Sequence, residues 1–231
     1  MCGRYSLICI DDLGNRFRVF DPMMGARSRF NIAPGSEMPV IVRAGENHAA
    51  IMRWGLIPPG TRDIRTARPL INARAETLAE KPAFRSLLRS HRCLVPASGF
   101  FEWKKDGTRK TPFYFRLPDM PLFAFAGLYH QWRNPEGVTV STYAIITCSA
   151  NSLVAPAHDR MPVILPRTAE ERWLDPAPLD VGELKGILAP YPAGLMESLP
   201  VSDLVNNPAA DDERVIQPLV SSSGAQTHLA V

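Results

Sequence analysis

Gly99-Phe100-Phe101-Glu102-Trp103-Lys104-Lys105-Asp106-Gly107, followed after Thr108-Arg109-Lys110 by Thr111-Pro112-Phe113-Tyr114-Phe115-Arg116-Leu117, reads as a β-hairpin. Two runs rich in aromatics flank Asp106-Gly107, a dipeptide suited to the positive φ values of a two-residue turn. Strand-like runs continue outward on both sides. His91 to Pro96 precedes the hairpin, and Leu122 to Tyr129 and Val138 to Thr147 follow it, joined across Asn134-Pro135-Glu136-Gly137. Met38 to Arg43 and Ala49 to Trp54 are further apolar runs with β-branched content. Helical signals are short. Leu13, Phe17 and Phe20 recur at helical spacing after a capping Asp11; Pro82 opens a segment to Arg89; Thr168 to Leu174 and Val181 to Leu188 complete the set. Arg29 to Gly35 reads as a turn, and Trp54 to Pro59 ends in a Pro-rich loop. The expected fold class is α+β, with a largely antiparallel, barrel-like β core and several short peripheral helices.

Composition sets the outer bounds. The chain has 231 residues, 45% hydrophobic and 21% charged, enough for a full core. One domain is expected over residues 1–212, followed by a small, polar, disordered tail over 213–231. The 22 prolines favour many short elements over long helices. A net charge of +3 is compatible with a nucleic-acid partner without being diagnostic. No apolar run approaches the roughly 20 residues of a membrane span, and no signal peptide precedes the fold. Cys2, Cys9, Cys93 and Cys148 lack metal-ligand spacing and read as reduced thiols of a cytoplasmic protein. No metal and no cofactor is expected.

The reactive candidates begin with Met1-Cys2-Gly3-Arg4-Tyr5. Removing Met1 would leave Cys2 with a thiol and a free α-amine on one carbon skeleton. That amine has a reference pKa of roughly 7.7–8.0, against about 10.4 for Lys, so much more of it is neutral at physiological pH. It can condense with an aldehyde to an imine, which the thiol then attacks to close a thiazolidine ring. Alternatively the thiol attacks a carbonyl with the amine as its base. Glu102, between Phe101 and Trp103, suits proton transfer if it faces inward, where desolvation raises its pKa; strand alternation also allows it to face out. His158 sits at an element junction, as a proton shuttle or a loop histidine bonded to backbone. Asn72 could orient an amine or a sugar oxygen, or close a turn. Arg4, Arg74 and Arg160 lie beside these candidates as possible phosphate ligands. Trp54 and Trp103 could stack on bases or pack in the core.

Several stretches occur in order: Met1-Cys2-Gly3-Arg4-Tyr5, Phe30-Asn31-Ile32-Ala33-Pro34, Trp54-Gly55-Leu56-Ile57-Pro58, Asn72-Ala73-Arg74-Ala75-Glu76-Thr77, Gly99-Phe100-Phe101-Glu102-Trp103, His158-Asp159-Arg160-Met161-Pro162, Val201-Ser202 and Val205-Asn206-Asn207-Pro208. Together they resemble the SRAP family, the SOS response-associated peptidase-like proteins, from Met1 to about Pro208. The resemblance implies a sensor of abasic sites in single-stranded DNA that forms a thiazolidine DNA–protein crosslink through Cys2 after Met1 removal. It implies catalytic roles for Cys2, Asn72, Glu102 and His158. DNA contacts would come from Arg4, Pro34, Trp54, Arg74, Trp103 and Arg160. It also implies peptidase-like removal of Met1, a monomer, and replication-fork proteins as further partners. Three rivals stay open at this point: an N-terminal-nucleophile amidohydrolase, a cysteine peptidase with a Cys2–His158 dyad, and a non-covalent single-stranded DNA-binding module.

Overall fold

The computed structural model describes residues 2–19, 27–134 and 136–219. In chain order the elements are β1 (Tyr5–Leu7), α1 (Leu13–Phe17), β2 (Arg29–Ile32), β3 (Glu37–Ala44), β4 (Glu46–Trp54), β5 (Asn72–Arg74), α2 (Pro82–Arg85), α3 (Leu87–Ser90), β6 (Arg92–Ala97), β7 (Gly99–Asp106), β8 (Arg109–Arg116), β9 (Phe123–Arg133), β10 (Thr139–Ser149), β11 (Arg160–Pro162), β12 (Ile164–Leu165), α4 (Arg167–Leu174), α5 (Val181–Ile187) and β13 (Glu197–Pro200). The fold is α+β with a largely antiparallel, barrel-like core. The strand path β10-β4-β3-β6-β9 closes on itself through the β9–β10 pairing. One join in it is parallel, β10 with β4, and β5 pairs with β10 in parallel outside the path.

A second sheet, in the order β13-β8-β7-β1-β2, lies against this barrel. The hairpin expected around Asp106-Gly107 is β7–β8, paired from Phe100↔Phe115 to Asp106↔Arg109. Gly107 takes φ 57°, the left-handed conformation that only glycine adopts without strain. Alternation along β7 sends successive side chains to opposite faces. Phe100 enters the main core, while Phe101 joins a small cluster with Tyr114, Val201, Val205 and Val215. The two sheets meet where the Tyr5 hydroxyl lies 2.8 Å from that of Tyr143 and the Tyr5 ring sits edge-on to Trp54 at 5.2 Å.

Some expectations need correcting. Arg29–Ile32 is a strand rather than a turn, because it pairs with β1 and its amides at Phe30 and Asn31 donate to the distant Asp211 carboxylate. The first helix begins at Leu13 with Asp12, not Asp11, as its N-cap residue, and closes at Arg18 with φ 52°. Its expected end at Phe20 lies outside the described residues. The Pro82 segment is two short helices joined at Ser86. Residues 213–219, assigned to the tail, are packed: Glu213–Val215 form a 3₁₀ turn, Val215 is buried, and Pro218 bridges to Val201. The remainder of the tail, from residue 220, lies outside the described residues, as does Met1. Among the described residues no helix is long and apolar enough to cross a membrane.

Candidate active site

Cys2 sits just ahead of β1, fully buried, its Sγ 3.9 Å from the Arg4 carbonyl. β1 pairs with β7 at Tyr5↔Phe100 and Ser6↔Gly99, and the Phe101 amide donates to the Arg4 carbonyl at 3.0 Å. Extending this antiparallel ladder by one pair sets Gly3 beside Glu102. The amino-terminal strand thus carries its thiol to the buried carboxyl of the hairpin.

Glu102 is only 3% exposed, on the central strand of the second sheet. Burial raises its pKa to about 7; the charge of the amino terminus opposes the rise and Asp159 adds to it. The carboxyl is therefore near half-ionised at neutral pH and can give or take a proton there. Burial also pushes the Cys2 thiol well up, and the Glu102 charge pushes it further. The thiol starts protonated and needs a base to act.

Glu102 shares an open cleft of about 510 Å³ with Trp103, Lys105, Lys110, His158 and Asn206. His158 precedes β11, and its Nδ1 accepts the Arg160 amide N–H at 2.9 Å. A neutral ring bonded in this way carries its proton on Nε2. The Asp159 carboxylate lies 2.8 Å from the same Nδ1, a contact that favours the charged ring. Burial, then the amino-terminal charge, outweigh it and lower the pKa of His158, so the neutral ring with Nε2–H prevails at neutral pH.

β10 positions two more of the motif residues. Asn72 opens β5 opposite Ile145, and Arg160 opens β11 opposite Ser149. The Asn72 amide nitrogen reaches the Ile145 carbonyl at 3.5 Å, while its buried Oδ1 has no hydrogen-bond partner among the described residues. The Arg160 guanidinium grips Glu76 with two bonds, at 2.6 and 2.9 Å, and donates to the Thr147 carbonyl at 2.6 Å. Arg160 therefore braces His158 through its backbone while its side chain is tied to Glu76. Buried side-chain atoms without a partner among the described residues include Arg4 Nε, Asn72 Oδ1 and Arg160 Nε, all on residues that the motifs singled out.

The remaining expected contacts divide. Arg74 and Pro34 are exposed, on β5 and in the turn after β2. Arg4 is committed inward, donating at 2.7 Å to both Asn31 Oδ1 and the Val205 carbonyl, and burial lowers its pKa. Trp103 is half-buried on the cleft wall, its indole N–H donating to Asn206 Oδ1 at 2.8 Å. Trp54 does not fit a DNA contact. It is 1% exposed, packed against Tyr5 and Tyr143, and its indole N–H is taken by the Ile71 carbonyl. A ring enclosed on both faces has no surface left for a base. Sequence reasoning passed over Glu76, Lys105, Lys110 and Asn206, although Glu76 and Asn206 lie inside quoted motifs and the lysines inside the deciding hairpin.

The family model for SOS response associated peptidase (SRAP) matches residues 1–208. The chain belongs to the SRAP family. Among its SRAP relatives, Abasic site processing protein YoqW of Bacillus subtilis (strain 168) is 43% identical over 222 residues, which is 94% of this chain and 99% of the relative. Abasic site processing protein YedK of Escherichia coli (strain K12) is 31% identical over 232 residues, covering 95% of this chain and 100% of its own. A crystal structure of a protein from Bacteroides thetaiotaomicron aligns with a TM-score of 0.85 at 28% identity, over 95% of this chain and 100% of its own. The SRAP match ends at residue 208, before the Asp211 that binds β2.

Proposed function

We propose that this chain captures abasic sites in single-stranded DNA as a covalent thiazolidine through Cys2, once Met1 has been removed. The observation that carries the reading is the seating of the second residue of the chain beside a buried carboxyl whose pKa is about 7. The names of its SRAP relatives, abasic site processing proteins, agree with it.

An abasic deoxyribose equilibrates with a ring-opened aldehyde. His158 Nε2–H hydrogen-bonds to the ring oxygen and polarises the ring C–O bond, while water takes the proton of the anomeric hydroxyl and returns one to the ring oxygen as the sugar opens. The Cys2 amine adds to the aldehyde carbon, giving a carbinolamine. Glu102 in its acid form protonates the departing hydroxyl, water leaves, and an imine remains. The Glu102 carboxylate then takes the thiol proton, the sulfur adds to the imine carbon, and the nitrogen is protonated as the five-membered ring closes. Asn72 Oδ1, buried and without a partner among the described residues, accepts from the Cys2 amine or a sugar hydroxyl. Single strands are favoured because an aldehyde within a stacked duplex is reached only at the cost of unstacking. Arg74 and Pro34 offer exposed contacts to the strand.

The same thiol and carboxyl could release Met1, in keeping with the peptidase of the family's description. A general cysteine peptidase fits poorly. That chemistry wants a depressed thiol paired with a charged imidazole, whereas here the thiol is pushed up and the histidine down.

The test is a denaturing gel of the Met1-free protein with single-stranded DNA carrying one abasic site. A shifted band that survives denaturation and vanishes in Cys2→Ala is expected. No such band from protein verified by mass would end the covalent reading.

A further inference from the structure

We propose that one face of the β7–β8 hairpin, formed by Trp103, Lys105 and Lys110, is a phosphodiester-binding surface that holds the single strand on one flank of the lesion; the inference deepens the abasic-site reading and rests on it. The register defines the face. Trp103 pairs with Pro112 and Lys105 with Lys110, so these side chains share one side of the ribbon, while Glu102, Lys104, Asp106, Arg109 and Thr111 take the other.

The two sides differ in charge. The Trp103 side carries two lysines and no acid. On the other, Lys104 and Arg109 share their face with Asp106, directly opposite Arg109. Both lysines of the first side reach the cleft that holds Glu102 and His158, and the Lys105 charge is felt at His158. They are exposed, so a phosphate can approach without displacing packed atoms. Trp103 is held edge-on by Asn206 at 2.8 Å, which fixes an aromatic surface between the reactive carboxyl and the cations. An indole followed by point charges at strand spacing, about 6.6 Å for every second residue, is the arrangement used to stack a base and track the backbone beyond it. Both cations of the cleft come from this one hairpin, while His158 and Asn206 complete its lining from elsewhere, so the grip is one-sided.

Binding is read without chemistry, in the Cys2→Ala background, with a fluorescent single strand bearing a tetrahydrofuran abasic analogue. Anisotropy is followed over a salt series for the parent, for Lys105→Gln with Lys110→Gln, and for Lys104→Gln with Arg109→Gln. The two pairs remove equal charge. We expect the Lys105/Lys110 pair to lower the slope of log K against log salt by about 1.4, near 0.7 per lost phosphate contact, and to weaken binding about tenfold. The Lys104/Arg109 pair should leave the slope within about 0.3 of the parent. Trimming the strand on one side of the analogue should abolish the difference between parent and Lys105/Lys110 variant, and trimming the other side should not. Equal slopes for the two pairs, or a loss that ignores which flank is trimmed, would overturn the proposal. A wild-type protein that binds but never crosslinks would sink the covalent reading and leave this one standing.

Discussion

Two clusters of buried polar groups in this molecule are built on opposite rules. Where α1 meets α4, Arg16 donates to both Glu170 oxygens at 2.8 and 2.6 Å and to the Leu122 carbonyl at 3.1 Å, with its guanidinium over the Phe17 ring. Both side chains of the pair are only 9% exposed. On the motif residues, by contrast, Arg4, Asn72 and Arg160 each keep a buried side-chain atom without a partner among the described residues, and Glu102 lies in surroundings that resist its charge. The first cluster is saturated and holds two helices together. The second is left short of partners, so an incoming ligand can supply them. Unsatisfied buried atoms cost stability, and here they fall on motif residues.

If that contrast holds, variants should separate stability from chemistry. The largest effect on stability should come from Glu170→Ala, which strands the buried Arg16 charge. Breaking such a pair costs about 3–5 kcal/mol, or a drop in Tm on the order of 10 °C for a chain of this size. Crosslinking well below the new Tm should be unchanged. A loss of crosslinking matching the loss of Tm would erase the distinction.

Glu102→Gln should do the reverse. Its folded pKa of about 7 lies above the reference of 4.5, so the folded state binds the extra proton. Wild-type stability therefore falls as pH rises from about 4.5 through about 7, by up to about 3 kcal/mol. The glutamine variant lacks this titration. Its Tm should exceed the wild type by a margin that grows toward pH 8 and vanishes near pH 4, while crosslinking at neutral pH slows. Parallel Tm curves across pH 4–8 would show that the carboxyl is not strained by burial.

The smallest effect on stability belongs to Glu76→Gln. Its side chain is 49% exposed, and pairs of that kind contribute at most about 1 kcal/mol. Tm should barely move. Freeing the Arg160 guanidinium should instead loosen the brace on His158 and shift the pH profile of the crosslinking rate. An unchanged profile would reduce the Glu76–Arg160 pair to a surface ornament of β11.

Local signals in the sequence located much of this. Asp106-Gly107 between aromatic runs sufficed for the hairpin, and apolar β-branched runs for β3, β4, β9 and β10. What escaped was set by distant partners. β2 is a strand because β1 and Asp211 supply its bonds, while its own residues run straight into the turn-forming Ala33-Pro34-Gly35. The parallel joins to β10 leave no local trace, yet they place Asn72. At the site, the motifs pointed to Cys2, Glu102 and His158, but they could not distinguish a tryptophan enclosed by Tyr5 and Tyr143 from one held on a cleft wall by Asn206. That difference lies in the tertiary contacts, not in the residue or its neighbours.

The tethering of β1 and β2 bears on when the protein becomes reactive. Arg4 is tied to Val205; Asn31 donates to the Val205, Asn207 and Ala210 carbonyls; Asp211 receives the Phe30 and Asn31 amides. β1 is thus seated by residues made some two hundred positions later. At translation rates of about 5–20 residues per second, that is an interval on the order of 10–40 s. During it Cys2 has been made but the late residues that seat β1 and β2 have not. In the proposed chemistry, release of Met1 within that interval would come before the seating of β1, so the topology of the chain would order the two events in time.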